Sequence, residues 1–158
     1  MRAPAACRRN RPSAVHKMVS VTSSRAAEGK ALAEIHRSFM SAPFNRHLGI
    51  EFGSYHEDGV SLRLPLGSHH QNGAGVVHGG AIVTLADAAL SFGIARVVGM
   101  RCTTAELKIN FLRPAFGGEL VARSHILRAG RKLVVARAEV SCGESHVAEV
   151  LTTFALLD

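Results

Sequence analysis

Asn72-Gly73-Ala74-Gly75-Val76-Val77-His78-Gly79-Gly80, running into Ala81-Ile82-Val83-Thr84-Leu85-Ala86-Asp87-Ala88-Ala89-Leu90-Ser91-Phe92, decides the fold of this chain of 158 residues. The first half is a glycine-rich loop that carries one amide and one imidazole. The second half is spaced as a helix that is apolar almost all the way round, and such a helix is buried on every side. Its polar exceptions, Thr84, Asp87 and Ser91, stand three and four residues apart and share one face. Asp87 lies mid-helix, where it caps nothing. Among Leu85, Ala86, Ala88, Ala89 and Leu90, an ionised carboxylate is costly unless it is paired, hydrated or used. One reading pairs it with Ser91 or with a basic residue across an interface. The preferred reading is catalytic, because a helix start with free N–H groups lies nearby in sequence.

His78 and Asp87 are nine residues apart, which on one helix is about 180° of rotation and about 13 Å of rise. The two side chains therefore point in opposite directions. If both serve one site, the second comes from another copy of the chain, so a homodimer with intersubunit sites is expected.

On either side of this stretch the chain reads as strands. His47–Glu57 and Val60–Leu66 flank Asp58-Gly59, a hairpin signal. Gly99 suits the end of a helix over Gly79–Val98. Thr103–Leu112, Gly118–Arg128, Lys132–Cys142 and His146–Leu157 are long, alternating and meander-like. Ala26–Met40 reads as a leading helix, with Leu32, Ile35, Phe39 and Met40 near one face, Ser24 as its cap and Pro43 closing it. An antiparallel sheet of about six strands and one long apolar helix bury each other if the sheet wraps the helix, an α+β fold.

Asn72-x5-His78-Gly79-Gly80-x6-Asp87, followed by Thr103-Thr104-Ala105-Glu106-Leu107-Lys108-Ile109-Asn110-Phe111-Leu112-Arg113-Pro114, resembles the signature of the PaaI-type thioesterases. These belong to the hotdog-fold acyl-CoA thioesterase superfamily. The resemblance runs from about Phe44 to Leu157. It implies a hotdog domain over residues 26–158, hydrolysis of an aryl- or medium-chain acyl-CoA, and assembly as a dimer or tetramer. It implies no cofactor beyond the CoA of the substrate. It also implies that Asn72 and His78 orient the loop and the thioester, and that Thr104 helps hold the attacking water.

The residues suit that chemistry. Negative charge builds on the thioester oxygen during attack, and a well-placed donor there is worth about 3–4 kcal/mol. The Gly79-Gly80 helix start supplies N–H groups and the positive end of a dipole. Gly79 is the expected oxyanion donor, with Gly80 as a second candidate donor that binds the substrate. Asp87 is the expected base or nucleophile, attacking through water or forming an anhydride. Arg113, Arg128, Arg131 and Lys132 are candidates for the CoA phosphates. Two other classes compete. A hydratase or dehydratase of acyl thioesters pairs its groups at a different spacing. A non-catalytic acyl-CoA-binding module has no use for a carboxylate beside a polyanion.

Composition narrows the partners. Hydrophobic residues make up 47% of the chain, which excludes wholesale disorder. Thr84, Asp87, Ser91 and Arg96 interrupt the longest apolar region, Ala81–Val98, and argue against a membrane span. The net charge of +7 sits at the start, where residues 1–25 hold six of the nineteen basic residues and no acidic one. The remaining thirteen face twelve acidic residues. Nucleic acid is therefore not an expected partner. Residues 1–25 read as a disordered basic extension. They have no apolar segment for a secretory signal, and Pro4 and Pro12 weaken an organelle transit helix. Cytoplasmic location is expected, with mitochondrial as the alternative, and Met18 is a second candidate start. Three cysteines in no paired motif suit a reducing compartment. His69, His70 and His78 match no zinc spacing, so no metal is expected there.

Overall fold

The computed structural model describes residues 25–157. The expectations for residues 1–24, including Ser24 as a cap and Met18 as a start, fall outside them. The elements are α1 (Arg25–Ser41), α2 (Pro43–Leu48), β1 (Glu51–His56), β2 (Gly59–Pro65), α3 (Gly79–Val98), β3 (Cys102–Phe111), β4 (Glu119–Ala129), β5 (Leu133–Cys142) and β6 (Ser145–Leu156).

The six strands form one antiparallel sheet in the order β1-β2-β4-β5-β6-β3. The sheet wraps α3, which is the expected hotdog arrangement. Alternation makes this possible. Leu120, Ala122 and Ser124 of β4, Val134, Ala136, Ala138 and Val140 of β5, and Ala148, Val150, Thr152 and Phe154 of β6 are buried toward the helix. Leu85, Ala86, Ala89, Leu90, Phe92 and Ile94 meet them from α3. Length and composition alone would let α3 cross a membrane, but this burial uses the same apolar surface inside the sheet. Gly99 ends the helix in the left-handed conformation, φ 73°, and its N–H bonds the Ala95 carbonyl at 2.9 Å.

Two expectations change. The strands are not one meander. β1–β2 is a hairpin and β4–β5–β6 is a meander, but β3 pairs with β6 at the far edge. The twenty-residue α3 separates β2 from β3, so no short turn can join them. In addition, His47 and Leu48 are helical rather than the start of a strand. Pro43 stands at the first turn of α2, and Gly49 closes it in the left-handed conformation, φ 76°. Pro43 therefore closes one helix and opens the next. α1 lies outside the core as expected, with Phe39 stacked on Phe92 at 4.8 Å between ring centroids.

Candidate active site

The loop before α3 is folded by its own polar groups. The Asn72 side-chain oxygen accepts from the N–H groups of Ala74 (2.9 Å) and Val76 (3.2 Å). The Asn72 N–H returns to the Val76 carbonyl at 2.8 Å. Asn72 is thus a loop organiser. The loop is held to the body by buried His70. Its Nδ1 accepts the Gly67 N–H at 3.0 Å, and its Nε2 bonds the Leu48 carbonyl at 2.8 Å. The His70 carbonyl then takes the His78 N–H at 2.8 Å.

His78 caps α3. Its Nδ1 accepts the Gly80 N–H at 2.9 Å, so that donor is already engaged. Gly79 is left with an N–H that has no hydrogen-bond partner among the described residues. It borders a groove of about 410 Å³ lined by Val76, Ile82, Phe111, Arg113 and Pro114. A Cβ on Gly79 would stand 3.1 Å from the Phe111 ring, a tight contact that glycine avoids.

Asp87 faces a different cavity, of about 420 Å³. Phe39, Phe44, Asn45, Val83, Thr84, Ala88, Ser91, Thr104 and Leu107 line it with Asp87. Thr104 Oγ1 donates to Asp87 Oδ1 at 2.7 Å. The Ser91 hydroxyl bonds the Asp87 backbone carbonyl, at 2.9 Å, and leaves the carboxylate to Thr104. A β-bulge between Thr104 and Glu106 breaks the pairing of β3 with β6 beside this contact. Bulges of this kind re-aim side chains next to functional sites. Cys102 lies close by. Burial, and then the Asp87 charge, push its thiol up to about 11, so it stays protonated and inert near neutral pH.

The two halves lie apart within one chain. Thr104 and Phe111 mark opposite ends of β3, seven residues or about 23 Å apart. The cations divide in the same way. Arg113 borders the Gly79 groove and donates to the His146 carbonyl at 3.1 Å, near the start of β6. Exposed Arg128, Arg131 and Lys132 surround the turn between β4 and β5, and the Lys132 carbonyl accepts the Leu156 N–H at the end of β6. Ten residues of β6 separate these groups, about 33 Å.

Known proteins share this fold. The thioesterase superfamily profile matches residues 74–149, the span that holds His78, Gly79, Asp87 and Thr104. A medium/long-chain acyl-CoA thioesterase of Escherichia coli, YigI, is 30% identical over 133 residues, covering 71% of this chain and 84% of that protein. The chain belongs to the thioesterase superfamily. Among solved structures, the conserved protein PA5202 of Pseudomonas aeruginosa superposes with a TM-score of 0.73 at 32% identity, over 77% of this chain and 98% of that one. The Escherichia coli PaaI protein superposes with a TM-score of 0.76 at 24% identity, over 83% and 96%, which speaks for the fold alone.

Within this thioesterase fold, three residues of the Asp87 cavity escaped the sequence reading. Phe39 comes from α1, and Phe44 and Asn45 come from α2. The Asn45 amide donates to the Phe39 carbonyl at 2.9 Å and fixes the corner between the helices. Pro43 and Gly49 are the signal that could have found α2. His70 also escaped. Its position before Asn72 gives no sign that both its ring nitrogens are used internally.

Proposed function

We propose that the protein is a PaaI-type acyl-CoA thioesterase that hydrolyses aryl- or medium-chain acyl-CoA to the free acid and CoA. The observation that carries this is the Thr104–Asp87 hydrogen bond at the wall of an apolar cavity. Asp87 is the base or the nucleophile. As a base it takes a proton from water as the water oxygen attacks the thioester carbon. As a nucleophile it attacks that carbon itself, and water then cleaves the anhydride. On either route the oxyanion is held by the Gly79 N–H, and the C–S bond breaks to release CoA as its thiolate, which takes up a proton. Thr104 holds one carboxylate oxygen and leaves the other for chemistry. Asn72, His70 and His78 keep the helix start in shape, with the Gly80 N–H committed to that cap.

The working site is shared between two copies. β3 is an edge strand of ten residues, mostly exposed, with Phe111 and Leu112 about half exposed. Such an edge is a template for pairing. Antiparallel pairing of two β3 edges sets the Thr104 end of one against the Phe111 end of the other. That brings an Asp87 cavity to a second copy's Gly79 groove, and Arg128, Arg131 and Lys132 toward a second Arg113 as a phosphate cradle. Phe39, Phe44, Val83 and Leu107 give the acyl group an apolar wall, in keeping with the medium- and long-chain substrates named for the Escherichia coli relative. The free thiols Cys102 and Cys142 suit a reducing, cytoplasmic setting.

The test is CoA release, measured by chromatography, from phenylacetyl-, benzoyl- and straight-chain acyl-CoAs, with Asp87→Asn beside the wild type. Turnover that collapses in Asp87→Asn is expected. Absence of turnover on every thioester, with CoA ligands still bound, would leave the acyl-CoA-binding module as the better reading.

A further inference from the structure

A second polar constellation lies where β1, the hairpin turn and β4 meet, away from Asp87. His56 Nδ1 and His125 Nδ1 take opposite oxygens of the Asp58 carboxylate, at 3.0 Å and 2.9 Å. One donor atom from each residue falls within 4.8 Å of the other two. Two imidazoles and a carboxylate make a ligand set typical of Zn2+ and related divalent cations. Cation–ligand distances of about 2.0–2.2 Å in a tetrahedral set place donors about 3.3–3.6 Å apart, between the 2.9–3.0 Å N···O contacts and the 4.8 Å within which all three donor atoms lie.

The surroundings favour this use. Both imidazoles are mostly buried, at 11% and 16% side-chain exposure, while Asp58 is open at 47%. The donors are therefore preset and one side admits solvent. Among the described residues, buried His56 Nε2 has no hydrogen-bond partner, and Nδ1 is the nitrogen turned to Asp58. Ligation through Nδ1 puts the ring proton on Nε2 and exchanges the Nδ1 hydrogen bond to Asp58 for the cation. The backbone is also fixed. Ile126 N–H bonds the Asp58 carbonyl at 2.9 Å, and Arg96 bonds the carbonyls of His56 and Gly59. Arg137, opposite His125 in the sheet, is paired with Glu139 and Glu149, which reduces its repulsion of a cation.

We infer that His56, Asp58 and His125 bind one Zn2+-class divalent cation, which ties the β1–β2 turn to β4. The three ligands leave room for water on the open side. The site is independent of the thioesterase chemistry, and its role is to hold the sheet.

The experiment titrates the metal-free full-length protein with Co2+ and Zn2+, reading the Co2+ visible spectrum, heat of binding and melting temperature. One cation per chain is expected, with a raised melting temperature. His125→Ala and Asp58→Asn should each weaken binding by at least about 100-fold, beyond the usual cost of losing an outer-sphere partner. Asp58→Asn retains a hydrogen-bond acceptor in the turn and keeps the test open if His125→Ala does not fold. His69→Ala should bind as the wild type does. No stoichiometric binding would overturn the inference. So would binding that persists in His125→Ala or Asp58→Asn, or that is lost in His69→Ala.

Discussion

Thr104 Oγ1 stands 2.7 Å from Asp87 Oδ1 and donates its proton there. A mid-helix carboxylate is thereby fixed by a hydroxyl from a different element, seventeen residues on. Replacing Asp87 with Asn removes the proposed base or nucleophile, and kcat should fall by at least about 10²–10⁴, the usual size of such a contribution. Thr104→Ala should reduce kcat less, by about 10- to 100-fold, with Thr104→Ser close to wild type, since one hydrogen bond to a charged group is worth about 1.5–3 kcal/mol. Steady-state CoA release gives both values. A wild-type kcat in Thr104→Ala would remove Thr104 from the machinery.

Gly79 and Phe111 make the second relationship to test. A methyl on Gly79 would meet the Phe111 ring at 3.1 Å, so either the ring gives by a few tenths of an ångström or the helix start does. Gly79→Ala should lower kcat by about 10²-fold, near the effect of losing one oxyanion donor. Phe111→Leu in the same chain should restore part of it, because the obstruction is a side chain and not backbone. An additive loss in the double variant would mean that the ring plays no part.

Cys102 reports on Asp87. With its thiol pushed up to about 11 by burial and then by the carboxylate, about one molecule in a thousand is thiolate at pH 8. Iodoacetamide at pH 8 should therefore label Cys142 ahead of Cys102. Asp87→Asn removes the charge and should speed labelling of Cys102, with burial still holding it below a free thiol. Peptide mass spectrometry resolves the two sites. Equal rates at Cys102 in wild type and variant would mean that Asp87 does not act on the thiol.

Much of this was legible in the chain because its signals are local. The extent of α3, its left-handed Gly99 and the shared face of Thr84, Asp87 and Ser91 follow from a 3.6-residue period. α2 was not legible, since six residues are too few for any period and only Pro43 and Gly49 mark it. Neither was the place of β3, because which edge a strand joins depends on what α3 separates. The engagement of Gly80 by His78 depends on a side-chain rotamer, which no spacing reveals. His56 and Asp58 meet His125 only because β4 packs on a hairpin turn sixty-seven residues earlier in the chain. Asp87, by contrast, was conspicuous from the start, because a carboxylate in an apolar helix needs a reason.

Acid should weaken the outer face of the sheet. The hydrogen bond from Arg137 holds the Glu139 carboxyl below its ordinary value, against a smaller effect of burial. A depressed carboxyl adds stability that is present above its unfolded pKa and is lost as pH falls through the folded one. The Glu139 contribution is therefore full at pH 7 and fades below about pH 4.5, the ordinary glutamate range. Both partners are more than a third exposed, so Glu139→Gln should cost no more than about 0.5–1 kcal/mol at pH 7. Urea midpoints at pH 7 and pH 3.5 check this. The variant should differ from wild type at the higher pH and converge with it at the lower.

The proposed sharing of the site between copies has the sharpest consequence. Within one chain, Gly79 borders one groove and Asp87 another, with most of β3 between them. Asp87→Asn spoils one half of every site and Gly79→Ala the other half, so each homodimer is nearly inactive. Unfolding the two variants together and refolding them as a mixture yields hybrids in about half of the dimers. In a hybrid, one of the two sites draws Asp87 and Gly79 from unaltered halves, while the other carries both lesions. Activity should therefore recover to about a quarter of wild type, half the dimers times half the sites. A site built within one chain gives no recovery at all, because every chain in the mixture carries a lesion. Recovery near a quarter, with each variant inactive when refolded alone, would establish that two copies complete each other.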